Sequence, residues 1–301
     1  MQRVTLWPVE PLVWRVGDRA LDCSARTLVM GILNVTPDSF SDGGRFFDQE
    51  RAVAAGIDMV SWGADILDVG GESTRPGAEP VEASREIDRV VPVIKRLAAE
   101  IDIPISIDTR KPEVAAAGLD VGASIVNDVT AGLAPEMFDV VRSARAGMVL
   151  MHMRGDPATM TSLTDYGDVV GEVRAFLADR MSAAVESGIE VECLAFDPGL
   201  GFAKTTEQNL LLMKEVSAFV TLGRPVLVGP SRKSFVGHVL NTEVDERIEG
   251  TAGAVAWLVS QGAHVIRVHD VKEMVRVVRM VDAIGHAGET GGVATTAEAP
   301  A

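Results

Sequence analysis

The chain has 301 residues, 47% of them hydrophobic and 24% charged, which is enough apolar material for a large core and too much for a disordered chain. A formal net charge of −15 argues against nucleic acid or an anionic membrane as partner, since both select basic surfaces, but leaves room for a local basic cleft. Cys23 and Cys193 stand in unrelated contexts without metal-ligand spacing, and no apolar run approaches the roughly 18 residues that span a bilayer, so the expected setting is the reducing cytoplasm.

Residues 1–27 alternate apolar and polar around Pro8, Pro11 and a Gly17-Asp18 turn. Arg3, Glu10, Arg15 and Asp18 break up any signal-peptide core, and the alternation predicts a β-hairpin covering one end of the main domain. From Leu28 onward one pattern recurs: apolar strand, polar residue, loop, amphipathic helix. The strand ends carry Asn34, Asp68 with Glu72, Asp108, Asn127, His152, Asp197, Lys233, and Arg267 with His269. Helical spacing falls near 48–62, 84–99, 111–118, 135–145, 168–187, 207–219, 249–260 and 271–284.

Strands alternating with helices imply a parallel sheet, and eight repeats with nothing left for a second domain favour closure. The fold class is therefore α/β, a single (β/α)8 TIM barrel over 28–286. No G-x-G-x-x-G follows the first apolar strand, which weakens a dinucleotide-binding sheet. The segment 287–301, mostly Gly, Ala, Thr, Glu and Pro without periodicity, reads as a disordered tail.

In such a barrel the C-terminal strand ends converge on one mouth, where catalysis resides. Here the mouth would receive Asn34, Asp108, Asn127, Asp197, Lys233, Arg267 and His269. Singly, Asp108 could cap a helix, Asn127-Asp128 and Asp197-Pro198-Gly199 could be turns, and Lys233 and Arg267 could pair with carboxylates. Together, acceptor, amide and cation from Asp197, Asn127 and Lys233 suit a polar heterocycle such as a pterin better than a sugar. Arg267, His269 and Ser73-Thr74-Arg75 form a donor set for phosphate oxygens. Asn34 is a neutral oxygen ligand of the kind Mg2+ accepts when water and phosphate complete its shell.

The strings GILNVTPDSFSDGG and DVGGESTRPGAEPV, followed in order by ISIDT, VND, MHMRGDPATM, DPGLGFAKT, SRKSF and IRVHDV, resemble the bacterial dihydropteroate synthases over residues 28–284. That resemblance implies a dimeric barrel that joins 6-hydroxymethyl-7,8-dihydropterin pyrophosphate to 4-aminobenzoate, with two mobile substrate loops at 34–47 and 70–80. It implies Asn34 on Mg2+, Thr74, Arg267 and His269 on the phosphates, and Val268 among the substrate-binding residues. Asp108, Asn127, Asp197 and Lys233 would clasp the pterin between Met151 and Phe202, and Phe40, Pro76 and Ser234 would line the aminobenzoate site. Asp108, Lys233, Arg267 and His269 would carry the catalysis. The chain departs from the family pattern at Pro230 and in its longer N-terminal hairpin. Competing readings are a class I aldolase using Lys233, a pterin-dependent methyltransferase, and a catalytically silent pterin-binding paralogue.

Overall fold

The computed structural model describes residues 11–36, 45–73 and 77–288. Strands β1 (Val13–Val16) and β2 (Arg19–Asp22) pair antiparallel across the Gly17-Asp18 turn, where Gly17 adopts φ +62. The expected hairpin is there, and its packing explains it. Trp14 and Val16 are wholly buried in one cluster with Leu28, Ile66, Ile125, Val149, Ala195, Leu227 and Val265, so the hairpin plugs the N-terminal end of the barrel. Trp14 Nε1 donates to the Cys193 carbonyl at 2.9 Å, which satisfies the one polar atom that this burial would strand. Cys23 and Cys193 are both buried free thiols.

Strand β3 (Leu28–Asn34) begins the alternation, followed by α1 (Arg45–Ser61), β4 (Ile66–Gly70), α2 (Ala83–Glu100), β5 (Ile105–Asp108) and α3 (Pro112–Asp120). Then come β6 (Ile125–Asp128), α4 (Met137–Ala144), β7 (Gly147–Met151), α5 (Val169–Glu186) and β8 (Leu194–Asp197). The chain closes with α6 (Thr206–Lys214), α7 (Ser217–Val220), β9 (Leu227–Val228), α8 (Ser234–Leu240), α9 (Ile248–Ser260), β10 (Val265–Val268) and α10 (Val271–Gly285). Eight parallel strands run in the order β8-β7-β6-β5-β4-β3-β10-β9. A single bridge, Phe196 to Val226, joins the two ends into a TIM barrel. Alternation sorts the side chains: Leu67, Val69, Ile105, Ile107, Phe196 and Val268 pack outward under the helices, whereas Ile66, Ile125 and Val265 fill the interior.

Two helical segments differ from the sequence expectation. The single helix expected over 207–219 is α6 and α7, because Glu215 leaves helical geometry and Val216 turns fully into the core. Helix α8 was not expected at all; its seven residues are too few for a periodic signal, and Gly237 interrupts them. A Cβ at Gly237 would lie 2.5 Å from the Arg247 guanidinium, which would have to move aside. The expected tail lies, from residue 289, outside the described residues.

Candidate active site

Parallel register decides which side chains meet at the mouth. Asn34, Gly70, Asp108 and Asn127 are successive Cα partners across β3, β4, β5 and β6, and Met151 partners Asp197 across β7 and β8. Gly70 leaves the flank of Asp108 clear, since a Cβ there would sit 3.4 Å from the Asp108 Cβ.

From β10, Arg267 reaches across this rim. Its Nε donates to Asp68 Oδ2 at 2.6 Å and its Nη2 to Asp108 Oδ2 at 2.7 Å. Asn127 Nδ2 donates to the same Asp68 oxygen at 3.0 Å. Burial lifts the Asp108 carboxyl to about 7; the Arg267 cation opposes this and the Asp68 charge adds to it. Burial works against the Arg267 charge, but Asp68 and Asp108 outweigh it and hold the guanidinium protonated.

His269, one turn of the pleat beyond Arg267, is held by Ser231. The Ser231 hydroxyl accepts from the His269 backbone N–H at 3.2 Å and lies 3.0 Å from Nδ1. If the hydroxyl gives its proton to Nδ1, the neutral ring carries its own proton on Nε2. Burial, then the Arg267 and Arg232 charges, drive this imidazole down to about 3, so it is a neutral donor.

The other side of the mouth is built on the loop after β8. Asp197 Oδ1 accepts from Gly199 N–H at 2.7 Å, and burial raises this carboxyl. Gly199 adopts φ +70 with no room for a side chain, a Cβ being placed 2.0 Å from the His152 carbonyl oxygen. Buried Lys204 donates to the carbonyls of Gly199 at 2.9 Å and Phe202 at 2.8 Å, with His152 Nδ1 at 3.1 Å. This brace sets Phe202 into a buried cluster with Val129, Met151, Met153 and Met160. Lys233 Nζ lies 4.4 Å above the centre of the Phe202 ring, and burial, partly offset by Asp197, lowers its ammonium to about 8.

The expected residues therefore divide. Asp108, Asn127 and Arg267 form one bonded network, Lys233 and Phe202 a stacked pair with Met151 beside them, and Asn34 stands on the same rim, half-buried. Val268 turns its side chain outward into the core, so it can offer the mouth only its backbone. Ser234 is the exposed first residue of α8. Phe40, Thr74 and Pro76 lie outside the described residues, as do 37–44 of the loop expected at 34–47 and 74–76 of the one expected at 70–80. Among the described residues no group of three or more His, Cys, Asp or Glu is arranged to hold a metal. Asp68, Ser231 and Lys204 were not singled out as site residues from the sequence. Asp68 had a legible signal, a carboxylate inside the apolar strand ILDVG; Ser231 and Lys204 had none beyond their place in short polar loops.

The family described as pterin binding enzyme matches residues 30–269. The dihydropteroate synthase of Synechocystis is 47% identical over 271 residues, covering 89% of this chain and 94% of that protein. The Xanthomonas albilineans dihydropteroate synthase solved with 4-aminobenzoic acid superposes with a TM-score of 0.86 at 43% identity, covering 91% of this chain and 98% of that one. The same organism's enzyme in complex with 7,8-dihydropteroate gives 0.82 at 41% identity, covering 90% and 98%. The residues at this barrel's mouth lie within the matched span, and the chain belongs to the pterin-binding enzyme family, among its dihydropteroate synthases.

Proposed function

We propose that the chain condenses 6-hydroxymethyl-7,8-dihydropterin pyrophosphate with 4-aminobenzoate, giving 7,8-dihydropteroate and pyrophosphate, in cytoplasmic folate biosynthesis. The observation that carries this is the convergence of Asp108, Asn127, Asp197, Lys233 and Arg267 around the apolar wall of Met151 and Phe202. A flat ring with polar edges fits a site that is apolar on its faces and hydrogen-bonding at its rim. The likeness to enzymes solved with 4-aminobenzoic acid and with 7,8-dihydropteroate supports the same pair of substrates here.

The amine nitrogen attacks the pterin methylene carbon as its C–O bond breaks, the bonding pair leaves with pyrophosphate, and the nitrogen sheds a proton. Arg267 spends two of its five N–H donors on Asp68 and Asp108, which leaves three for phosphate oxygens. Neutral His269 adds a donor through Nε2. Asp108 stabilises the positive charge that spreads from the methylene into the ring, while Asn127, Asp197 and Lys233 hold the ring edge. Met151 and Phe202 keep water from competing with a weak aniline nucleophile.

Asn34 presents a neutral amide on the rim, and among the described residues no hydrogen bond engages its side chain. It fits an ion held mainly by water and pyrophosphate oxygens, as Mg2+ commonly is. Bound there, Mg2+ would supply charge neutralisation to the leaving group. A homodimer finds support in the exposed apolar residues Leu211, Val239, Leu240, Val244 and Trp257, which lie on α6, α8, α9 and the turn between the last two. Incubation with isotopically labelled 4-aminobenzoate and the pterin pyrophosphate tests the reading. The label should appear in a product of dihydropteroate mass, and its confinement to unreacted substrate would refute the assignment.

A further inference from the structure

Asp68 is the most deeply placed charge in the mouth, and no part of the reaction above uses it. It is wholly buried on β4, one pleat below the rim that carries Gly70 and Asp108, so it cannot touch a substrate. Yet its Oδ2 accepts from two groups that the reaction does use, the Arg267 Nε at 2.6 Å and the Asn127 Nδ2 at 3.0 Å. Asp108 holds only the far end of the same guanidinium, through Nη2. A guanidinium gripped at Nε from below and at Nη2 from the side has its plane fixed; gripped by Asp108 alone, it can pivot about that one contact. The Asn127 amide is oriented by the same oxygen: with Nδ2 committed to Asp68, its Oδ1 is the atom turned to accept.

We propose that Asp68 is a positioning residue, whose carboxylate fixes the plane of the Arg267 guanidinium and the rotamer of the Asn127 amide and so sets the phosphate and pterin halves of the site relative to each other. The proposal rests on the functional reading above. A neutral amide at position 68 cannot substitute, because its NH2 would face two other donors or its single oxygen would have to serve both without charge. A buried acid carries a desolvation cost here, which its contacts to Arg267 and Asn127 offset. The neighbouring Ser106 of β5 is its Cα partner, equally buried, and among the described residues neither its hydroxyl nor Asp68 Oδ1 has a hydrogen-bond partner. Ser106 thus serves as an internal control: same layer, same burial, no grip on Arg267 or Asn127.

The same geometry has a pH signature. The charged groups that act on Asp108 are Arg267 on β10, Asp68 on β4, Glu86 on α2, Asp128 on β6 and Lys233 after β9. Removing the Asp68 charge takes away a repulsion and leaves Arg267 to Asp108 alone. Both changes favour ionised Asp108, so the acid limb of kcat/KM moves to lower pH.

The test compares wild type, Asp68→Asn and Ser106→Ala in three readouts. The expected results for Asp68→Asn are a fall in kcat/KM of about 10- to 100-fold, an acid limb displaced to lower pH, and weakened binding of 6-hydroxymethylpterin followed by its fluorescence. Ser106→Ala should match wild type in all three. Wild-type rate and an unmoved acid limb in Asp68→Asn would overturn the proposal, as would an equal loss in Ser106→Ala. If wild type itself forms no dihydropteroate, the functional reading fails, and the pterin-binding comparison still decides the role of Asp68. Should Asp68→Asn not fold, NMR of wild type decides. The Arg267 Nε–H signal, identified by its loss in Arg267→Lys, should exchange slowly with solvent, and fast exchange contradicts the grip.

Discussion

At the scale of single residues, the site is a set of charges whose spacing the register imposes. Asp108 and Arg267 are joined by a 2.7 Å hydrogen bond, so they cannot be varied as independent groups. Asp108→Asn keeps the size and one acceptor for Arg267 but removes the charge beside the electron-poor ring. We expect kcat to fall about 10²- to 10³-fold, or roughly 3–4 kcal/mol, with little change in pyrophosphate binding. Arg267→Ala should raise KM for the pyrophosphate substrate as well as lower the rate. The double variant should lose less than the two losses combined, and strict additivity would show that the contact is not functional. The two shifted groups also set a pH profile. Below about 7 Asp108 takes a proton and loses its charge, and above about 8 Lys233 loses its own, so kcat/KM should fall on both sides. A profile flat across both values would remove these groups from the rate. Sequence spacing was enough to gather Asp108, Asn127, Asp197, Lys233 and Arg267 at one mouth. It could not say that Arg267 would turn to Asp68, because that partnership crosses the barrel between β10 and β4.

The elements show what positions these charges and where the barrel is weakest. Strand β9 is two residues long, and the seam to β8 is a single bridge. His264, just before β10, anchors the other side of this short strand: its Nδ1 accepts from Val226 N–H at 3.0 Å and its backbone N–H donates to the Val226 carbonyl at 2.9 Å. That bond requires a neutral ring, and burial, then Arg224, depresses the imidazole to about 4. The unfolded chain takes the proton at its ordinary value while the folded one refuses it. Stability should therefore fall as pH drops from about 6.5 toward 4, by on the order of 3 kcal/mol from this residue. His264→Asn keeps an acceptor for Val226 without the titration, so its loss of melting temperature between neutral and mildly acid pH should be smaller. An unchanged slope would place the acid sensitivity elsewhere, with buried His152 and His269 the next candidates. Periodicity marked most of the helices to within a few residues, but the α6–α7 break and α8 escaped it. At the break Val216 is buried and Glu215 leaves helical geometry, and α8 is only seven residues long, too short for a repeating pattern.

For the whole molecule, eightfold alternation in the sequence was sufficient to specify a barrel, and the hairpin's alternation to place it at one end. What the pattern could not show is that Trp14 enters the bottom of the barrel, a contact 179 residues away from its Cys193 partner. The outer helices α6, α8 and α9 bear exposed apolar residues. If these form a dimer contact, wild type should sediment as a dimer, and Val239→Glu with Leu240→Glu should yield a folded monomer; a monomeric wild type would leave that face without a partner copy. The reaction is checked by pyrophosphate release from the purified chain, measured beside dihydropteroate formation with both substrates and Mg2+ present. The two products should appear in equal amounts and both should depend on 4-aminobenzoate. A protein that binds the pterin substrate yet releases no pyrophosphate when the amine is added would contradict the account.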